Sequence, residues 1–506
     1  MASLIASKQA QTARRSVRRG MEVLGAILAC LTALPRTADA QTITQLFAFP
    51  CPGQLSGTCP DGYSPNQLIQ ASDGNFYGTA QLTTIGNSNP QGGTVFKITP
   101  TGRFTRLFTF TANASGTYVN GDDPSTALVE ANDGFLYGTT FNGGASDNGV
   151  LFRISKTGQS FKVLHNFCSV ANCADGNLPL DLILGHDGNL YGVTEAGGSN
   201  NSICQPVGGC GTIFRFTPPS TFTTLFTFDG SNQIGGFPTG LLQGSDGNFY
   251  GTINSGAFRL VPGGQFTVLA TIPPVGPNPS HANSKLVEAP NGSLYGSLTT
   301  YSIEQLQFYK VNAAGGGFQE FPSFGFRSDS ERLVPRLIQA SDGNLWDAVT
   351  DPTIGSGDGS VIALSPADGS VVRSFEFDGT NGGTPAASIV QAPDGTIYGT
   401  ATAGGKAGSG SVAIGTVWHL NASLPAPQST VAAFTPASGA VGSTVLIRGD
   451  HFIGTTAVTI NGVSATFKVL NTNFIRATVP SGATTGPIAV TNPGGKTIST
   501  QNFTVQ

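Results

Sequence analysis

Along this chain short apolar runs alternate with polar turns, and one such unit returns seven times. Its first copy reads Leu68-Ile69-Gln70-Ala71-Ser72-Asp73-Gly74-Asn75-Phe76-Tyr77-Gly78-Thr79. The turn reappears as Asp133-Gly134, Asp187-Gly188, Asp246-Gly247, Asn291-Gly292, Asp342-Gly343 and Asp394-Gly395, with glycines 60, 54, 59, 45, 51 and 52 residues apart. A period near 50 marks a repeat architecture. Asp-Gly or Asn-Gly between apolar runs predicts a hairpin closed by a type I′ turn, which needs positive φ at both central residues. The rival role for each Asp is calcium binding, for which one carboxylate beside glycine supplies too few oxygens.

Two further strands share the period. Gly93-Thr94-Val95-Phe96-Lys97-Ile98-Thr99-Pro100 has relatives beginning at Gly149, Gly211, Gly256, Ser360 and Gly415. Phe104-Thr105-Arg106-Leu107-Phe108-Thr109-Phe110 returns at Phe222 to Phe228. Each unit therefore holds four strands: A before the turn, B after it, C with the Val-Phe-Lys pattern and D with Leu-Phe-x-Phe. Four antiparallel strands per unit is the arithmetic of a β-propeller. The last unit lacks a D strand, while the chain begins with an orphan one, Thr42 to Phe49. The expected fold class is thus all-β, a seven-bladed β-propeller over 41–420 closed by its N-terminal strand.

The run from Gly93 to Pro100, the Leu-Phe-Thr-Phe strand and Ser72-Asp73-Gly74-Asn75-Phe76-Tyr77-Gly78-Thr79 together resemble the GloVer tandem repeat of exported bacterial proteins. The likeness covers about 42–420, with departures at Asn291, at Tyr309-Lys310 and at Trp346-Asp347. It implies fold and export and brings no catalytic residues. After a linker at 421–430, short alternating strands such as Thr444-Val445-Leu446-Ile447-Arg448-Gly449 and Val458-Thr459-Ile460-Asn461-Gly462-Val463 have sandwich spacing. Their order over 431–506 resembles an IPT/TIG immunoglobulin-like domain, a spacer or binding module.

Composition narrows the setting. Charged residues make up 11% and Gly 69 of 506, which fits a turn-rich β protein. A net charge of −4 gives no footprint for nucleic acid. Arg14, Arg15, Arg18 and Arg19 precede an apolar run from Val23 to Leu34, then Ala38-Asp39-Ala40. That is a secretory signal peptide over 1–40, cleaved near Ala40, and too short to span a membrane. Ile27-Leu28-Ala29-Cys30 leaves lipidation of Cys30 open, and the paired arginines leave twin-arginine export open. Without Cys30 the cysteines form three close pairs, Cys51/Cys59, Cys168/Cys173 and Cys204/Cys210. In an exported chain these read as local disulfides rather than metal ligands.

Candidate chemistry is sparse. His165, His186, His281, His419 and His451 are scattered, and neither Gly-x-Ser-x-Gly nor HExxH occurs. Asp61, Asp122, Asp175, Asp229 and Asp378 lie between a D strand and the next A strand, as turn residues or as a ring able to bind a cation or act as acid and base. Asp122, Asp175, Asp229 and Asp378 are the binding candidates. A basic column on the C strands, Lys97, Arg153, Arg215, Arg259, Lys310 and His419 with Ala363 as the exception, reads as ion pairs at the turn edge, Lys97 with Asp73 and Arg153 with Asp133, or as packed side chains. No metal, cofactor or nucleic acid is expected. The leading expectation is a monomeric exported or cell-surface protein binding a glycan or protein through the loop face that carries the disulfides. The other is a propeller polysaccharide lyase or hydrolase with carboxylates at the central mouth.

Overall fold

A computed structural model describes residues 41–506 except 53–56, 86–91, 125, 206–207, 232–234, 272–280, 283, 301–304, 326–335, 351–357 and 409–410. The expected signal peptide, with Cys30 and Ala40, lies outside the described residues, as does the middle of the connection from Gln81 to Gly92. Among the described residues the regular structure is strand, apart from short 3-10 turns such as Ala171–Cys173.

The recurring turn is a different hairpin from the type I′ expectation. In all seven copies only the glycine takes positive φ, between 76° and 90°. Gly74 N–H donates to the Ala71 carbonyl at 2.8 Å and Ala71 N–H to the Asn75 carbonyl at 2.9 Å, and the same two bonds recur in every copy. This is a three-residue loop, a type I turn followed by a left-handed glycine. It spares the Asp a left-handed backbone and frees its carboxylate. One oxygen accepts the N–H two residues on, at 3.2 Å for Asp73 and 2.9 Å for Asp394. The other accepts the tyrosine hydroxyl at 2.7–2.8 Å in Tyr77, Tyr137, Tyr191 and Tyr250. In the sixth copy the indole N–H of Trp346 takes that place on Asp342 at 3.1 Å. Asp-Gly and Tyr are thus one hydrogen-bonded device, which is why they travel together.

The repeats build seven small antiparallel sheets whose strands follow chain order. The first is Gly57–Gln70, Phe76–Ile85, Thr94–Ile98 and Phe104–Thr109. The seventh holds Gly383–Gln391, Ile397–Ala403 and Ser411–Leu420, and its fourth strand is Thr44–Pro52 from the start of the chain. Thr44 pairs with His419 and Cys51 with Val412. The glycine after each tyrosine has a packing reason. A Cβ at Gly78 would lie 2.7 Å from the Phe96 ring, and one at Gly192 2.4 Å from Phe214. Where Asp347 replaces that glycine, its strand partner is the smaller Ile362.

Neighbouring sheets interlock through their D strands. Phe108 stacks on Phe161 at 3.8 Å and Phe226 on Phe266 at 4.7 Å. Phe47 of the opening strand stacks on Phe104 in the same way at 4.1 Å. His165 occupies the equivalent place against Phe222 at 3.7 Å, so it is a packed ring. A threonine on the B strand adds a second link: Thr252 donates to the Ser284 carbonyl at 2.7 Å, and Thr400 of the seventh sheet to the Asn66 carbonyl of the first at 2.7 Å.

The C-terminal segment forms two sheets, one holding Thr430–Thr435, Thr444–Asp450, Phe467–Val469 and Phe474–Thr478, the other built on Gly486–Asn492 and Gly495–Val505. They share a core of Val445, Ile447, Phe452, Ile475, Val490 and Phe503. This unit meets the turn end of the repeat sheets. Asn471 donates to the Asn132 side chain at 2.8 Å, and Ser341 and Gln391 reach the Pro425 carbonyl.

Two outcomes follow. Phe49 and Phe110, both buried and both ring-packed beside a C-strand phenylalanine, hold equivalent places. Each Phe→Ala change is expected to cost about 3–5 kcal/mol in denaturant unfolding, and a negligible loss at Phe49 alone would show the opening strand to be dispensable. The Asp73 carboxyl is opposed by burial, yet hydrogen bonds from Asn75, Tyr77 and Lys97 hold it below its ordinary value of 3.8. Asp246 is lowered likewise through Tyr250 and Asn248. A depressed folded value stabilises above the unfolded one and is lost as pH falls through it. Asp73→Asn with Asp246→Asn should therefore flatten the acid limb of the stability profile below about pH 4 and leave its neutral shape alone.

Candidate functional site

The D-to-A and B-to-C connections emerge at the end of the sheets opposite the Asp-Gly turns, because antiparallel strands alternate ends. All three disulfides form as paired in the sequence: Cys51–Cys59, Cys168–Cys173 and Cys204–Cys210. Cys51 belongs to the opening strand and Cys59 to the first strand of the next sheet, so this bridge also ties the two together. The other two lie in touching loops, where Gly198 N–H donates to the Cys173 carbonyl at 2.8 Å. Asn201 donates across to the Asp229 carbonyl at 2.7 Å.

The four candidate aspartates do not converge. Asp122 is buried and takes the Gly92 N–H at 2.6 Å, and burial pushes its carboxyl up to about 6. Asp175, also buried, accepts from His165 Nε2 at 3.0 Å and from the Ser169 hydroxyl at 2.7 Å. Asp229 accepts the Ser231 N–H at 2.9 Å. Asp378 is exposed and closes its own turn through the N–H groups of Thr380 and Asn381, both at 2.9 Å. Asp61 sits inside the strand Gly57–Gln70, 3.4 Å from Arg106. Each organises a loop locally. Among the described residues no group of three or more His, Cys, Asp or Glu side chains comes together as a metal site.

The basic column behaves partly as expected. Lys97 pairs with Asp73 at 3.1 Å over the Tyr77 ring. Arg153 does not reach Asp133. Its guanidinium lies 4.5 Å from the Phe135 ring centre, while the Tyr137 hydroxyl donates to Asp133. The gap at Ala363 is filled from the next strand, where Arg373 lies 5.5 Å from the Trp346 ring centre.

The loop end also presents exposed aliphatic side chains that belong to none of the sequence motifs. Val119, Val170 and Ile203 are 46%, 51% and 57% accessible. Val170 and Ile203 lie within or beside the disulfide loops. An apolar residue next to a cysteine in an otherwise polar loop was the available signal.

Fold and loops together define an all-β repeat protein with a separate C-terminal sandwich. Residues 37–204 match the Gloeobacter/Verrucomicrobia repeat and residues 429–506 the IPT/TIG domain. The chain thus carries both, and the turn bonds continue the repeat beyond the matched stretch to Thr396. These two domains fit a surface-associated protein, and the disulfides are consistent with a non-cytoplasmic location. No described helix is long and apolar enough to cross a membrane. No curated protein matches the chain.

Among solved structures, a fungal alcohol oxidase of the AA5 family is similar at 11% identity, covering 90% of this chain and 100% of its own, with a TM-score of 0.45. The extracellular domain of a one-component system from B. thetaiotaomicron is similar at 12% identity, covering 92% and 57%, with a TM-score of 0.45. A gluconolactonase from Xanthomonas campestris is similar at 13% identity, covering 76% and 98%, with a TM-score of 0.36. Similarity at this level carries no argument about activity.

If the bridges hold the loops in place, reduction should loosen this end alone. Hydrogen exchange should rise over 168–176 and 197–210 while the strands Leu190–Ala196 and Thr212–Thr217 keep their protection. Loss of protection in those strands would assign the bridges to the sheet instead.

Proposed function

We propose that the seven sheets are the blades of a closed β-propeller, and that the protein is an exported or cell-surface binding protein whose loop end recognises a glycan or protein. Pairing of Thr44–Pro52 with Ser411–Leu420 supports closure, as does the recurrence between the seventh and first sheets of the links seen elsewhere. The C-terminal domain occupies the turn end, which leaves the loop end for a partner. The observation that carries the reading is the exposure of Val170 and Ile203 on loops held by disulfides, with Val119 exposed on a connection at the same end. Isolated exposed aliphatics are ordinary on a protein surface, but on preorganised loops they reduce the ordering cost of recognition. The lyase or hydrolase reading has less behind it, since the candidate carboxylates spend their oxygens on nearby N–H and hydroxyl groups.

A glycan array probed with the mature protein and with Val170→Asp/Ile203→Asp tests this. Array hits that weaken at least tenfold in the variant, without release of reducing ends, are the expected result for a glycan ligand. Binding to whole cells that the variant abolishes while the array stays blank points to a protein ligand. Reducing-end release, or binding unchanged in a correctly folded variant, overturns the proposal.

A further inference from the structure

Counting back seven residues from each turn glycine finds a layer that the consensus does not reveal. Four repeats place a small or neutral residue there, whereas the third, fifth and sixth place Asp181, Lys285 and Arg336. Asp181 is fully buried, with Arg336 Nη1 3.0 Å and Lys285 Nζ 3.5 Å from its two oxygens, and it accepts the Leu241 N–H at 2.9 Å. The next position toward the turn is aliphatic in every repeat, including Leu68, Leu128, Leu182, Leu286 and Leu337. Lys285, Arg336 and these five leucines line a cavity of about 410 Å³ together with Asn471, Thr472 and Asn473 of the C-terminal domain, whereas the buried Asp181 is not itself part of the lining. Its volume falls in the range of small-molecule pockets.

The charges in this space do not balance. Lys285 and Arg336 share the one carboxylate of Asp181, and Glu130, the acidic residue of the lining, is already engaged by Lys156 and Ser72. Asp347, whose carboxyl burial pushes well up, is not among the residues that line the cavity. Burial also lowers the Lys285 ammonium despite Asp181 beside it. The Nε of Arg336 is buried without a hydrogen-bond partner among the described residues, and an unmet charged donor in such a place is costly.

We propose that this cavity binds a small monocarboxylate with an apolar body, its carboxylate held by Lys285 and Arg336 beside Asp181. One negative charge matches the surplus, whereas a phosphate dianion would exceed it. The leucine walls favour an aliphatic or aromatic body over a polyhydroxylated sugar acid, whose hydroxyls would lose water without replacement. The site is separate from the loop end, so either proposal can fail alone.

Calorimetry and thermal melts of the mature protein with benzoate and hexanoate test it, with benzyl alcohol, gluconate and phosphate as controls. Benzoate or hexanoate should bind and raise the melting temperature, and the controls should do so at least tenfold more weakly. Lys285→Met should reduce carboxylate affinity at least tenfold while the Asp181–Arg336 pair keeps the fold, with Lys285→Gln as the second variant if the first melts without cooperativity. Val170→Asp/Ile203→Asp should leave carboxylate binding unchanged. Absence of binding by both acids, preference for phosphate or gluconate, or full affinity in the Lys285 variants refutes the proposal.

Discussion

Everything in the repeat region depends on one constraint: a four-stranded sheet cannot bury both faces by itself. Each sheet here meets that need with rings lent by its neighbour, as Phe108 and Phe161 do, or Phe226 and Phe266. A terminal sheet in such a series would expose a face and an edge. The opening strand supplies both remedies at once, pairing its backbone with Ser411–Leu420 and stacking Phe47 on Phe104. The Cys51–Cys59 bridge then fastens that strand to the sheet that follows. Stability therefore rests on contacts between the two ends of the repeat region as much as on any single sheet.

With neighbours this alike, small departures are compensated within reach of each other. Asp347 stands where other repeats have glycine, and Ile362 stands opposite in place of an aromatic ring. Ala363 lacks the column's cation, and Arg373 covers Trp346 from the adjacent strand. Trp346 loses a hydroxyl and offers an indole N–H to the same carboxylate. Each case keeps a hydrogen bond or a filled volume constant while the residues change.

The two ends of the sheets present different features. The Asp-Gly turns are short, internally bonded and partly covered by the C-terminal domain. The loops at the other end vary in length and carry the disulfides. The charged layer of Asp181, Lys285 and Arg336 lies between, where seven first strands approach one another. A consensus repeat tolerates such a layer because the position points to a shared interior rather than to a neighbouring sheet.

The sequence by itself determined the repeat number, the strand order within each sheet, the spare opening strand, the three bridges and the C-terminal sandwich. These are local periodicities and spacings, and short-range sterics and hydrogen bonding decide them. It misjudged the turn type, because Asp-Gly suits two hairpin classes and only the backbone shows that Asp73 avoids the left-handed region. It placed Arg153 on Asp133, whereas the guanidinium meets the Phe135 ring, a choice made by ring packing. Asp122 and Asp175 read as turn residues, and only the structure shows that they are buried against neighbouring N–H groups. The contact between Arg336 and Asp181 was beyond any local pattern. It joins residues 155 apart, and only the tertiary arrangement of the repeat sheets brings them to 3.0 Å.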